Sequence, residues 1–116
     1  MEPMENCLFC KMAAGLIPTN KLYEDDQVLA FHDIDPQAPL HFLVIPKKHI
    51  DAPASLVEED AALVGHIFAV IAKIAADLGL ENGYRVVTNS GEDGGQSVHH
   101  LHFHVLAQRK LAWPPG

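Results

Sequence analysis

Residues 98–108, VHHLHFHVLAQ, alternate imidazole and apolar side chains over most of their length. Because the side chains of a β-strand point alternately to opposite faces, this run predicts a strand with a histidine face and an apolar face. The histidine face would carry His100, His102 and His104, and the other face His99, Leu101, Phe103 and Val105. We expect the apolar face to pack against a helix, which restricts the segment to a sheet covered on that side.

A long amphipathic helix is the second element that restricts the fold. Ser55 and the acidic run Glu58–Asp60 are typical of a helix N-terminus, and Gly79 is typical of a C-cap. Between them, apolar residues recur at helical spacing: Leu63, Ile67, Val70, Ile71, Ile74 and Leu78. The pattern predicts a helix that extends to Leu78 and covers one face of the sheet.

Other segments predict a short helix and four more strands. CLFCKMAAG (residues 7–15) is typical of a short helix, KLYEDDQVLAFHDI (21–34) of two strands joined by an acidic turn, and LHFLVIP (40–46) and YRVVTNS (84–90) of single strands. The order predicts an α+β fold in which a five-stranded antiparallel sheet packs with one long helix and a short N-terminal helix. We expect one domain over residues 1–116.

The charge balance restricts the partners. Eight Lys and Arg against 15 Asp and Glu give a net charge of −7 at pH 7. Since affinity for a nucleic-acid backbone comes largely from cations, we expect no nucleic-acid partner. No apolar run approaches the roughly 20 residues of a membrane span, and the start MEPMENCLFC does not have the pattern of a signal peptide. We therefore expect a cytoplasmic protein with no membrane partner.

The row formed by His100, His102 and His104 allows three functional interpretations. The imidazoles can be solvated or hydrogen-bonded, they can converge on a metal ion, or one can act as a nucleophile toward phosphorus or a carbonyl. The third needs an anion site nearby, and the loop GEDGGQS is a candidate. Gly94 and Gly95 allow close backbone approach, and the amides of Gln96 and Ser97 can donate to a phosphate oxygen. The loop could equally be an ordinary hairpin connection.

Cys7 and Cys10 form a Cys-x-x-Cys pair, which is half of a zinc site. A closed tetrahedral site needs two more ligands. The alternative is that both cysteines are small buried hydrophobes of the short helix.

The motif SVHHLHFHVL contains His-φ-His-φ-His-φ-φ, where φ is apolar, and so resembles the signature of the histidine triad (HIT) family of nucleotide-binding proteins. The likeness covers nearly the whole chain, and the closing WPPG is similar to the purine nucleoside phosphoramidase branch. The resemblance implies a HIT-like fold and hydrolysis of purine nucleoside phosphoramidates of the adenosine 5'-monophosphoramidate, AMP-lysine or acyl-adenylate type. A covalent nucleotidyl-histidine would form, and its hydrolysis would release AMP or GMP.

The resemblance also implies roles for individual residues. His102 would be the nucleophile, and the backbone carbonyl of His100 would fix its tautomer. His104 would contact the phosphoryl oxygens, Ser97 the leaving group and Asp33 the ribose. Further residues that the resemblance places at the nucleotide are Phe9, Ile17, Phe31, Ile34, His41, Leu43, Asn89, Gly95 and Gln96.

Family members with such a cysteine pair imply a structural zinc ion held by Cys7, Cys10, His49 and His100. Proteins of this kind are homodimers, so the resemblance implies one sheet that continues across two chains through the long helix and a sheet edge. The tail AWPPG would then place Trp113 beside the partner's leaving-group pocket.

Two other functions stay open. The protein could be a nucleotide-binding scaffold or regulatory protein whose hydrolysis is incidental, because the same residues would form a nucleoside monophosphate pocket. It could also be a zinc-dependent hydrolase with the three histidines of the row as ligands. The absence of an acidic base beside the row counts against the zinc-dependent hydrolase.

Overall fold

The computed structural model describes residues 6–116, so residues 1–5 of the predicted domain lie outside the described residues. The helices and strands of this part of the chain follow the predicted order. They are α1 (Leu8–Ala13), β1 (Lys21–Glu24), β2 (Val28–His32), β3 (Leu40–Pro46), α2 (Ala61–Asp77), β4 (Tyr84–Val87) and β5 (Phe103–Ala107).

The five strands form one sheet in the order β1-β2-β3-β5-β4, and every neighbouring pair is antiparallel. β3 lies at the centre, between β2 and β5. In the register of β3 with β5, Leu43 lies opposite His104, and His41 lies opposite Leu106. The predicted α+β fold with a five-stranded antiparallel sheet is confirmed.

Each face of the sheet carries an apolar cluster. The larger one lies between the sheet and α2 and includes Val28, Ala30, Phe42, Val44, Ile67, Val70, Ile71, Ile74, Leu101, Phe103 and Val105. The apolar residues between the histidines therefore pack on the helix side, as the alternation predicts. The smaller cluster lies under α1 and includes Cys7, Phe9, Cys10, Leu29, Phe31, Leu43 and Ile45.

The histidine segment becomes a strand later than predicted, since His100 and His102 precede β5. The Leu101 N–H donates to the carbonyl of Ile50 across 2.6 Å, beyond the end of β3, instead of to a strand of the sheet. The alternation of faces persists, because Leu101 is fully buried in the larger cluster. His99, predicted to share the face of Leu101, is exposed instead.

α2 is shorter at both ends than the pattern predicts. Two 3-10 turns precede it, and Ser55 lies in the first of them. The Asp60 carboxylate accepts the N–H of Val57 at 3.1 Å, so the end of the acidic run stabilises a local turn. Leu78 is the C-cap residue and is 40% exposed, outside the apolar face where it was predicted. Gly79 follows with φ 68°, which agrees with the predicted helix end.

No helix within residues 6–116 is long and apolar enough to cross a membrane. The cytoplasmic location and the extent of the domain over residues 1–116 stay predictions.

Candidate active site

A cleft of about 640 Å³ lies between α1 and the face of the sheet that α1 covers. Of the residues predicted to bind or attack a nucleotide, Phe9, Ile17, Phe31, Asp33, Ile34, Leu43, Ser97, His102 and His104 line it. Five others of the described chain do not: His41, Asn89, Gly95, Gln96 and Trp113. Thr19, Asn20 and His32, which were not predicted, also line it, so the cleft combines apolar walls with three imidazoles, two hydroxyls, an amide and a carboxylate.

His102 lines the cleft and is only 4% exposed. Its Nδ1 lies 2.7 Å from the backbone carbonyl oxygen of His100, which can only accept a hydrogen bond. Nδ1 therefore carries the proton, and the lone pair of the neutral ring lies on Nε2. Thr88 Oγ1 donates to the carbonyl of His102 at 2.9 Å and so fixes the backbone that carries the ring. An imidazole held in this tautomer presents a nucleophilic nitrogen.

A chain of hydrogen bonds fixes the tautomer of His104. The backbone N–H of Gln37 donates to His41 Nδ1 at 3.0 Å, so the proton of a neutral His41 lies on Nε2. That N–H donates to His104 Nδ1 at 2.9 Å. Burial lowers the pKa of His104 to about 4, and the neighbouring His102 and His41 contribute to the decrease. At pH 7, His104 is therefore neutral and carries its proton on Nε2.

Asp33 follows β2 and lies beside these imidazoles. Its Oδ1 accepts the backbone N–H of Asp35 at 2.8 Å. Its Oδ2 lies 3.4 Å from His41 Nε2 and 4.0 Å from His104 Nδ1. The carboxylate is thus fixed at the cleft wall, and the next residue, Ile34, is fully exposed.

The glycine-rich loop is shaped mainly by its own contacts. A Cβ on Gly94 would lie 2.8 Å from the carbonyl oxygen of Ser90, so this glycine is needed to close the loop. The Gln96 N–H, predicted to be available to a phosphate, already donates to the carbonyl of Gly91 at 3.1 Å. Ser97, at the end of the loop, is exposed and lines the cleft.

Cys7, Cys10, His49 and His100 form a second group, the Cys/His cluster, in which the ligand atoms all lie within 4.8 Å of one another. Cys7 Sγ to His100 Nδ1, Cys10 Sγ to His49 Nδ1, and His49 Nδ1 to His100 Nδ1 are each 3.2 Å apart. Around a tetrahedral zinc ion, bonds of about 2.3 Å to sulfur and 2.05 Å to nitrogen separate two nitrogens by about 3.3 Å, a sulfur and a nitrogen by about 3.6 Å, and two sulfurs by about 3.8 Å. The four predicted zinc ligands are therefore brought together at a suitable spacing.

Partners outside the Cys/His cluster orient both of its imidazoles. His100 Nε2–H donates to the carbonyl of Pro46 at 2.8 Å, and His49 Nε2–H donates to the Asp51 carboxylate at 2.6 Å. Both Nδ1 lone pairs are thereby turned into the cluster, as metal ligation requires. Burial lowers the pKa of His100, which favours the neutral form that binds a metal ion.

The three histidines of the row do not form one metal site. Within residues 6–116, the groups able to hold an ion are the Cys/His cluster, which takes His100, and the group Asp33, His41 and His104. His102 belongs to neither group. The geometry therefore does not supply the three-histidine site that a zinc hydrolase of the predicted kind would need.

Residues 14–111 match the family model of the HIT domain. The chain belongs to the HIT family. An uncharacterized HIT-like protein of Synechococcus elongatus is 50% identical to it over 112 residues, which cover 97% of this chain and 98% of that protein.

Solved structures agree with this assignment to the HIT family. The crystal structure of a HIT family hydrolase from Legionella pneumophila has a TM-score of 0.94 at 49% identity and covers 96% of this chain and 100% of that one. A histidine triad nucleotide-binding protein from Candida albicans has a TM-score of 0.82 at 32% identity, over 94% of this chain and 83% of that one. The HIT fold is therefore shared over nearly the whole chain.

Four groups that shape the site of this HIT domain were missed by sequence reasoning: the Gln37 N–H, the Pro46 carbonyl, the Asp51 carboxylate and the Thr88 hydroxyl. The sequence could have indicated Asp51, because this carboxylate lies two residues after the candidate ligand His49 and can accept a hydrogen bond from the ring nitrogen that does not bind the metal. The others contact the histidines only through tertiary structure, so nothing local in the sequence indicates them.

The C-terminal tail of the HIT domain is held on β4. Arg85 Nη2 donates to the carbonyls of Leu111 at 3.3 Å and Ala112 at 3.0 Å. The next side chain, Trp113, is 82% exposed. The indole is therefore presented outward and does not line the cleft of its own chain.

Proposed function

We propose that this protein hydrolyses purine nucleoside phosphoramidates, with His102 as the nucleophile. The observation that carries the proposal is the 2.7 Å hydrogen bond from His102 Nδ1 to the His100 carbonyl, beside a cleft of about 640 Å³. That volume lies within the roughly 300–1,000 Å³ common for small-molecule sites. The names of the Legionella hydrolase and the Candida nucleotide-binding protein agree with the proposal.

The reaction would take two displacements. His102 Nε2 attacks the α-phosphorus, a new N–P bond forms, and the bond from phosphorus to the leaving amine breaks as the amine takes up a proton from solvent. Water then attacks phosphorus and gives up a proton to solvent, the imidazole leaves, and nucleoside monophosphate is released. Imidazole suits both steps because it is neutral near pH 7 and is a moderate leaving group. AMP-lysine and acyl-adenylate substrates would follow the same route with a different leaving group.

Negative charge on the phosphoryl oxygens would be stabilised by His104. Its Nε2–H is the remaining donor of a ring whose Nδ1 is occupied by His41, and a donor oriented in advance lowers the barrier. In this proposal Ser97 contacts the leaving group. Asn89, Gly95 and Gln96 do not line the cleft, and the Gln96 N–H already donates to the Gly91 carbonyl, so the proposed phosphate contacts do not include them.

The nucleoside would lie along the apolar part of the cleft. Phe9, Phe31 and Leu43 supply buried walls, Ile34 an exposed one, and Asp33 would accept hydrogen bonds from the ribose hydroxyls. Aromatic and aliphatic walls favour purines through contact area and stacking but distinguish base edges poorly. Both AMP and GMP are therefore expected products.

We also propose that the Cys/His cluster holds a structural zinc ion. Two cysteine thiolates, formed as the thiols lose their protons on metal binding, and two imidazoles would form a closed set, with four protein ligands and no position left for a reacting water. When bound, the ion would cross-link α1, the segment after β3 and the segment before β5. His102, His104 and Ser97 lie outside the set, so the proposed displacements do not depend on the metal directly.

The assembly that we propose is a homodimer through α2 and β4. β4 is an edge strand of the sheet, and Phe68 of α2 and Tyr84 of β4 are 47% and 41% exposed. A two-fold-related copy would continue the sheet and cover this edge. The tail of one chain would then bring Trp113 to the partner's site.

The decisive experiment looks for the covalent intermediate. The protein is incubated with adenosine 5'-monophosphoramidate, quenched in base, and mapped by peptide mass spectrometry for an adenylate on His102. His102→Ala should lose the adduct and turnover but keep AMP binding, while His99→Ala, a change in an exposed histidine of the same segment, should keep all three. Turnover without an adduct would contradict the mechanism, and AMP binding without turnover would favour the nucleotide-binding or regulatory role.

A further inference from the structure

α1 is a short helix that is joined to the site through its cysteines. It has six residues, fewer than an isolated helix needs for stability. Cys7 is its N-cap, and Cys7 Sγ accepts the Cys10 N–H at 3.2 Å. Both thiols also contact imidazoles of the Cys/His cluster, His49 and His100. Both cysteines of this segment thus link α1 to the Cys/His cluster.

Phe9 lies between the two cysteines in sequence and contacts His102. The ring centroid of Phe9 lies 5.2 Å from that of His102, 5.9 Å from that of His100 and 5.7 Å from that of Phe31, each in an edge-to-face arrangement. Phe9 is 5% exposed and lines the cleft. One ring thus contacts the proposed nucleophile, a ligand of the Cys/His cluster and the space for the nucleotide.

Two other side chains of α1, Leu8 and Met12, also line the cleft. The helix therefore forms one wall of the nucleotide site. A displacement of α1 would change the shape of that wall and the packing of His102 together.

The direct contacts among the four side chains of the Cys/His cluster are weak ones. The Cys7 and Cys10 thiols can donate to His100 Nδ1 and His49 Nδ1, each across 3.2 Å, but S–H is a weak donor. A metal ion replaces these contacts with four ligand bonds that join α1 to two other segments. Metal binding must therefore restrict the position of α1, and Phe9 moves with it.

We propose that metal binding at the Cys/His cluster fixes α1 as a wall of the nucleotide cleft, with Phe9 as a positioning residue for His102, so that zinc and nucleotide bind cooperatively. The inference rests on the structural zinc site and the nucleotide cleft of the proposed function. Linkage makes the effect reciprocal: the factor by which zinc tightens AMP binding equals the factor by which AMP tightens zinc binding.

The test measures both affinities in the full chain. AMP binding is followed by calorimetry on zinc-loaded and chelator-treated protein, with metal content determined by mass spectrometry. We expect AMP to bind about tenfold more tightly to the zinc-loaded protein, within the usual range of coupling between sites. Zinc affinity, measured by competition with a chromophoric chelator, should rise by the same factor when AMP is present.

Variants of α1 separate positioning from general stability. Phe9→Ala should keep one zinc ion per chain, weaken AMP binding and lose most of the coupling. Met12→Ala changes the same helix and the same cleft but removes no ring from His102, so it should keep the tenfold coupling. Phe9→Tyr keeps the aromatic ring and should restore the coupling.

Equal AMP affinity with and without zinc would overturn the inference but leave the zinc site and the reaction intact. Full coupling between zinc and AMP in Phe9→Ala would have the same consequence. A chain that binds no zinc would overturn the zinc site together with the inference. Zinc binding without any AMP binding would overturn the nucleotide site and, with it, the coupling.

Discussion

Two pairs of histidines each bring two ring nitrogens close together. His41 and His104, the cleft pair, are 2.9 Å apart at the wall of the cleft, and His49 and His100 are 3.2 Å apart in the Cys/His cluster. In the cleft, a backbone N–H from Gln37 donates to the far nitrogen of His41, so the near nitrogen carries a proton and the contact is a hydrogen bond. In the cluster, both far nitrogens donate outward, so two lone pairs face each other.

We call the outer partner the group that is hydrogen-bonded to the ring nitrogen pointing away from the other histidine of the pair. This partner determines which atoms the pair presents to a ligand. A donor outside the pair produces a proton-bearing contact and a directed N–H, which suits binding to phosphate. Acceptors outside the pair produce converging lone pairs, which suit a cation. The two pairs should accordingly respond differently to metal removal and to substitution.

Removal of zinc should have the largest effect on stability, and it should act through the Cys/His cluster. At free zinc about a thousandfold above its Kd, the bound ion adds about 4 kcal/mol to the free energy of unfolding. Urea titrations with and without a chelator measure the difference. Cys10→Ser should abolish the response, and His41→Ala should keep it. Equal midpoints with and without chelator in the unmodified protein would contradict the distinction between the pairs.

Substitution of the cleft pair should reduce catalysis and leave metal content unchanged. His104→Ala removes the proposed phosphoryl donor and should lower kcat about 100-fold, a loss typical for a donor to a developing oxyanion. Turnover of adenosine 5'-monophosphoramidate and zinc per chain are measured on the same sample. Loss of zinc from this variant would show that the two pairs are not independent, and an unchanged kcat would remove His104 from the mechanism.

Much of the fold could be predicted because it depends on local periodicity. The alternation from Leu101 to Val105 indicated which side chains face α2, and the apolar spacing located the helix. The start of β5 could not be predicted, because it depends on the Leu101 N–H pairing with Ile50, far away in sequence. The exposure of His99 is not indicated by the alternation either.

The functional sites could likewise be predicted only in part. The role proposed for His102 and the membership of the Cys/His cluster are implied by the family resemblance, since Cys10 and His49 are 39 residues apart and spacing alone gives only half of a zinc site. The contact of His41 with His104 depends on the register of β3 with β5. The tautomers depend on single backbone groups, such as the Gln37 N–H. Every residue except proline has such a group, so the sequence does not indicate which one donates to a histidine.

Acid should destabilise the protein through His104, one member of the cleft pair. The pKa of His104 is about 4 in the folded protein against a usual 6.5, so between these pH values the unfolded chain binds more protons and stability falls as pH falls. From pH 7 to pH 4.5 this one group accounts for about 2 kcal/mol. Urea unfolding at both pH values should show a decrease that is smaller by this amount in His104→Gln. Equal decreases in both proteins would show that His104 is not held neutral.

Removal of an outer partner should have the smallest effect, and it acts on the Cys/His cluster. Asp51→Ala deletes the acceptor of His49 Nε2–H, so His49 is no longer held with its Nδ1 lone pair toward the cluster. Zinc affinity, measured by competition with a chromophoric chelator, should fall about tenfold, or about 1.4 kcal/mol. Asp51→Asn keeps an oxygen acceptor at the same place and should lose less. If both variants bind zinc as tightly as the unmodified protein, the outer partner does not set the role of the pair, and the burial of His100 among the thiols is left as the feature that distinguishes the Cys/His cluster from the cleft.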